Sequence, residues 1–262
     1  LATDFTVRTS IIYANMLAPA VIIKGMGMDP KPTPYWPENS ILPYIFLDQP
    51  SGLNMYPEEL ARLFGSRLNV NTILAEQTYE NSVRKGTWHY SDALYYFYNQ
   101  TYALGNYAFA KENTEDEEYG YPASDVERYT GYLNGALSAK QSPYTILLSL
   151  LSGSIYESLY SVIGSYLIKG YAVKNMYDLI RTPGLQITLP QVSIYAGSRS
   201  FFMNNSIGLR NIDGRYNSMV LSYGLELNSQ KDRTHRVGAN VFLDDMPNVP
   251  ISLNPYCYVN FG

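Results

Sequence analysis

The sequence predicts an α+β protein: an extended, proline-rich N-terminal strap, a helical middle and a C-terminal antiparallel β-meander. Three observations predict it. Prolines at 30, 32, 34, 37, 43 and 50 forbid a long helix near the N-terminus. Between 56 and 182, helix-start signals alternate with apolar residues at helical spacing. Beyond Pro183-Gly184 the apolar period falls from about 3.6 to about 2. The chain therefore divides into a strap (1–55), a mainly helical region (56–182) and a β region (183–262), expected to pack as one composite domain.

The strap follows from Asp29–Pro37 (DPKPTPYWP), which has polyproline II character and leads to a short strand at Ile41–Leu47. Such an arm suits either a neighbouring subunit or its own domain. The apolar stretch Ile11–Ile23, interrupted by Pro19, is too short to span a bilayer and reads as core.

Pro57 with Glu58 and Glu59 is first-turn chemistry, giving a helix through Phe64 that stops near Gly65. Asn71 then caps a second helix over 72–84. A third, over 91–110, opens at Ser91-Asp92 and carries Tyr95, Tyr98 and Tyr102. Lys111–Pro122 packs five acids into seven residues, a solvated loop whose spacing misses the calcium-loop pattern. Ser124-Asp-Val-Glu127 is a capping box that starts a helix to about Ala139.

Residues 143–168 run 26 positions with one charge, Glu157. The length would span a bilayer, yet Ser, Gly and Tyr are dense and no basic cluster flanks it. A buried helix is the expectation. One or two more helical turns are expected around Ala172–Ile180.

In the β region, Met219, Leu221, Tyr223, Leu225 and Leu227 alternate with Ser218, Ser222, Gly224 and Glu226. Val237, Ala239, Val241 and Leu243 alternate with Arg236, Gly238, Asn240 and Asp244 in the same way. Each pattern predicts a strand with one buried and one wet face. Asp213-Gly214 is tight-hairpin chemistry joining Ser206–Ile212 to Arg215 onward, and Ser229–Thr234 is a longer turn. Leu185–Ala196 and Ile251–Phe261 bring the meander to about five strands.

Composition bounds the function. The chain has 26 tyrosines against two histidines and one cysteine, so groups that titrate near neutrality or bind transition metals are scarce. Net charge is −4 and no Lys/Arg cluster occurs, which argues against a nucleic-acid partner. The lone Cys257 cannot close a disulfide within the chain. His89, in Thr87–Asp92, could serve a nucleophile, but no Gly-x-Ser-x-Gly elbow accompanies it, and a hydrogen-bonded histidine at a helix start weighs more.

No cofactor and no metal is expected. Charged residues are only 16% of the chain, so either something other than charge keeps its surface in solution or partners cover much of it. Tyrosine suits such half-buried contacts, since its ring is apolar and its hydroxyl still seeks a partner.

The expectation is a non-enzymatic assembly subunit, a homo-oligomer or part of a larger complex in a virion or cell-envelope machine. Its candidate interface residues are Tyr35, Trp36, Trp88, Tyr90, Tyr95, Tyr98 and Tyr102. The first alternative is a membrane-associated protein lending amphipathic hairpins to an oligomeric barrel. The second is a carbohydrate-binding protein or glycoside hydrolase, with Trp36, Trp88 and acids such as Glu58, Glu59, Asp92 and Glu157.

Overall fold

The structure, a computed structural model, describes residues 57–108, 150–196, 201–210, 218–227 and 233–242, strands at 31–35, 44–48, 252–253 and 256–261, and isolated positions between 6 and 25. Helices followed by antiparallel strands make it α+β. The expected acidic loop, the 124–139 helix and the Asp213-Gly214 turn lie outside the described residues.

In the strap, β1 (Lys31–Tyr35) and β2 (Tyr44–Asp48) pair antiparallel, with Lys31 opposite Asp48 and Tyr35 opposite Tyr44. A proline-rich segment can hold a strand here because a two-stranded ribbon has outer edges that need no amide donor. Of the stretch expected as core, the described positions are helical, and among them Leu17 and Val21 are exposed.

One helix replaces the two expected over 57–84. α1 (Pro57–Lys85) runs through Gly65 and Asn71, both of which are buried. Tertiary contact overrides the local stop signals on this face. The helix carries Arg84 and Lys85 in its last turn, where they complement its dipole, and ends at Gly86 (φ 70). β3 (Thr87–His89) leads directly into α2 (Tyr90–Ala108). His89 Nδ1 accepts from the Ser91 amide at 3.4 Å and shares a 2.7 Å hydrogen bond with Ser91 Oγ. It thus serves the start of α2.

α3 (Gly153–Tyr160) continues without a break into a π-helical segment, π1 (Ser161–Ile168). Gly170 (φ 74) ends it: its amide donates to Tyr166 O at 2.9 Å and the Tyr171 amide to Ser165 O at 2.8 Å. The first of these bonds is that of an αL cap, whose left-handed position favours glycine.

The turns expected around Ala172–Ile180 are strands instead. β4 (Val173–Asn175) pairs with β3, and β5 (Asp178–Thr182) forms a hairpin with β6 (Leu185–Thr188) across Pro183-Gly184. Available strand partners decide the matter where local helical signals are weak.

β6, β7 (Gln191–Ala196), β8 (Phe201–Arg210), β9 (Ser218–Glu226), β10 (Arg233–Phe242), β11 (Ser252–Leu253) and β12 (Tyr256–Phe261) complete the sheet. Its order is β5-β6-β8-β9-β10-β11; β7 also pairs with β8 and β12 with β10. All its pairs are antiparallel. β8 and β9 do pair antiparallel, with Arg210 opposite Ser218, one residue out of the register that a two-residue turn at Asp213-Gly214 would set.

The core lies where α1 and α2 meet α3 and the sheet. It gathers Ala75, Tyr79, Val83, Trp88, Ala93, Tyr96, Ile155, Met176 and Val220. Helix side chains also satisfy the β7 backbone on the side away from β8. Asn69 exchanges two hydrogen bonds with Ala196, Thr72 Oγ1 donates to Ile194 O, and Gln100 Nε2 donates to Val192 O. Ser152 Oγ accepts from the Val192 amide. Polar helix residues close that edge as a paired strand would.

Candidate interaction surface

The strand alternation is present, but its sense is the reverse of what a water-facing sheet requires. On β9 the inward residues are Ser218, Val220, Gly224 and Glu226, all buried. The outward ones are Met219, Leu221, Tyr223 and Leu225, with Leu221 38% and Tyr223 44% exposed. β10 repeats the pattern: Gly238 and Asn240 are buried while Val237 is 50% exposed. Register places Leu221 between Ile207 and Ala239, and Met219 between Leu209 and Val241. An apolar band therefore crosses three strands on the outer face. This corrects the expectation of a wet polar face.

α1 is the reason. It lays carboxylates on the inner face, and polar or small strand residues meet them there beside Phe202, Val220 and Phe242. Glu76 accepts from Tyr195 and from Asn204 Nδ2, and Glu80 accepts from Asn240. Burial raises both carboxyls above the ordinary range, Glu80 to about 7, while those hydrogen bonds pull the other way. Tyr79 sits deeper. Burial pushes its phenol up to about 12, and its hydroxyl bonds Thr188 Oγ1 (2.7 Å), Leu189 O (2.8 Å) and the Gly208 amide (3.1 Å).

The helix α3–π1 is reversed as well. Ser154, Ser158, Ser161 and Ser165, spaced 4, 3 and 4, are buried together with Glu157. Glu157 accepts from Lys174 Nζ at 3.2 Å and from the Tyr177 amide. On the opposite side Tyr156, Tyr160, Ile163 and Leu167 repeat the same spacing and are exposed. Ile168, Tyr171, Val173, Tyr177, Leu179 and Ile180 extend the exposed apolar surface into β4 and β5. No described helix is long and apolar enough to cross a membrane, a criterion that does not bear on strands.

The expected interface residues separate. Trp88 is fully buried and packs on Tyr96 with ring centroids 5.3 Å apart, so it belongs to the core and faces no partner. Tyr90 is half-buried and stacks on Tyr166 at 4.0 Å, which joins it to the α3–π1 surface. Tyr95 and Tyr98 are half-buried on α2, and Tyr102 is exposed. Tyr35 lies in β1, where only the backbone is described; Trp36 lies outside the described residues.

Sequence reasoning missed Tyr156, Tyr160, Ile163 and Leu167. The signal was the serine stripe at matching spacing, a small polar face suited to close packing. Among the acids considered for sugar chemistry, Asp92 pairs with Lys85 and Glu157 with Lys174. Among the described residues, no group of three or more His, Cys, Asp or Glu could hold a metal ion. Comparison of the chain with protein-family models, with curated proteins and with solved structures finds no match.

Proposed function

We propose that the chain is a non-enzymatic assembly subunit, of a virion or a cell-envelope machine, whose outward apolar faces are covered by neighbouring chains. One observation carries this reading: two separate elements, the β8–β10 sheet and the α3–π1 helix, bury their polar sides and present their apolar sides. Contiguous apolar surface of this kind marks a partner site. Covering a half-exposed Leu, Val or Tyr side chain returns about 1 kcal/mol, so several together drive association. Seven exposed tyrosines among the described residues supply the aromatic content typical of interfaces.

Light scattering of the protein at micromolar concentration without detergent tests it. Oligomers are expected, and Leu221→Asp with Val237→Asp is expected to reduce them. A stable monomer that stays in solution would overturn the reading.

One observation favours a second reading, a membrane-associated barrel built from several copies. β8, β9 and β10 are nine to ten residues long. Ile207, Leu209, Met219, Leu221, Val237 and Val241 face outward while polar or small residues predominate inward beside Phe202, Val220 and Phe242, a pattern close to that of bilayer-spanning strands. The described sheet is open, with β5 at one edge and β11 and β12 at the other, so closure needs further strands. Its main path has six positions. An even number lets identical copies arranged in a ring meet edge to edge in antiparallel fashion. Co-flotation with phosphatidylcholine liposomes, abolished by the same two aspartates, would favour this reading over the first.

A further inference from the structure

A cavity of about 190 Å³ opens between α1 and the inner face of the sheet. Its floor is cleared by small residues on adjacent strands: Ser222 pairs with Gly238, and Gly224 with Arg236. A Cβ at Gly224 would lie 3.2 Å from Arg236 Cβ and 3.7 Å from Asn204 Oδ1, so a larger residue would crowd this space. Glycines inside a strand often mark a place kept open for a ligand or another backbone.

The walls carry an acidic and a basic side chain, and burial disfavours the charged form of the Glu76 carboxyl while no cation is beside it among the described residues. The Glu76 carboxylate lines one side and accepts hydrogen bonds from neutral groups, the Tyr195 hydroxyl and the Asn204 amide. No cation stands within ion-pair distance of it among the described residues. The Arg236 guanidinium lines the cavity as well, 4.1 Å from the Phe202 ring centroid. A buried carboxylate without a cation is costly, and a ligand ammonium would offset that cost. A guanidinium is the side chain best shaped to receive a carboxylate.

We propose that this cavity binds a small zwitterion, an amino-acid-like molecule with its ammonium at Glu76 and its carboxylate at Arg236. The aromatic rings of Tyr195 and Phe202 border the space for its carbon skeleton. The site is on the inner face, apart from the apolar surfaces, so it stands whether or not the assembly reading does.

The test is calorimetric titration of the full chain with glycine, β-alanine and γ-aminobutyrate, whose charges lie progressively further apart. Acetate, methylamine and glucose serve as comparisons. One of the three zwitterions is expected to bind at least about tenfold more tightly than acetate or methylamine, since each of those meets only one wall. Glu76→Gln and Arg236→Gln are each expected to weaken it about tenfold. Ser222→Leu, which fills the cavity from its floor and leaves Glu76 and Arg236 in place, is expected to abolish binding with the circular dichroism unchanged. That variant decides the matter if either charge variant fails to fold. Binding of glucose alone, of no probe at all, or undiminished binding to Ser222→Leu would overturn the proposal.

Discussion

Glu80 and Glu157 show how one residue type takes two roles under burial. Glu157 is matched by Lys174, and the Lys174 ammonium also lies 5.4 Å from the Tyr160 ring centroid. Glu80 has the Asn240 amide and no cation among the described residues. Burial therefore lifts its carboxyl from 4.5 to about 7. The unfolded chain releases this proton near pH 4.5, and the folded chain holds it until about 7. Folded protein thus binds more protons across that window, so its stability falls as pH rises through it and levels off above. The loss from Glu80 amounts to at most about 3 kcal/mol, and burial moves Glu76 in the same direction. Glu80→Gln keeps the acceptor for Asn240 and removes the ionisation. Urea unfolding at pH 5 and pH 8 is expected to give a smaller pH difference for the variant, with a net gain over the natural chain at pH 8. Equal pH slopes would show that Glu80 titrates as it does in water.

At the scale of elements, the decisive contact is the approach of α1 to β8. A Cβ at Gly208 would sit 2.6 Å from Val83 Cγ2 and 2.7 Å from Val83 Cγ1 and Thr188 Oγ1. Val83 is core and Thr188 is engaged with Tyr79, so neither can swing aside. Gly208→Ala is expected to cost about 2 kcal/mol in urea unfolding, and Val83→Ala in the same chain to recover part of that despite its own cavity. Additive losses from the two changes would show that the strand does not press on the helix.

This contact also explains what the sequence could convey. The period of 2 in Ser218–Glu226 located the strand to within two residues, because alternation depends only on the pleat. It could not say which face lies inward. That depends on Glu76, Glu80 and Tyr79 of a helix more than a hundred positions away. Gly65 and Asn71 misled for the same reason, being read as a stop and a cap where packing keeps the helix continuous. The tyrosine excess drew attention to the rings, of which Tyr95 and Tyr98 are half-buried. Composition had no means of sorting Trp88 and Tyr96 into the core from Tyr156 and Tyr160 at the surface.

For the whole molecule, the reversed sheet and the reversed helix pose one question twice: what covers each. They are separate elements with no exposed residue in common, so two partners can be met independently. A subunit with two different self-complementary or mutually complementary faces builds extended assemblies, whereas a single face closes a dimer. Ile163→Glu with Leu167→Glu disrupts the helical face and leaves the serine stripe that holds α3–π1 in place. Leu221→Asp with Val237→Asp disrupts the sheet face and leaves Glu76, Glu80 and their partners intact. Each pair of changes is expected to lower the mass measured by light scattering to a defined smaller oligomer. All four together are expected to give a monomer with unchanged circular dichroism. If either pair alone yields the monomer, the two surfaces meet in one interface, each face of one copy covering the other face of the next. If neither pair changes the mass, these apolar surfaces do not hold copies together, and the liposome experiment decides whether lipid covers them instead.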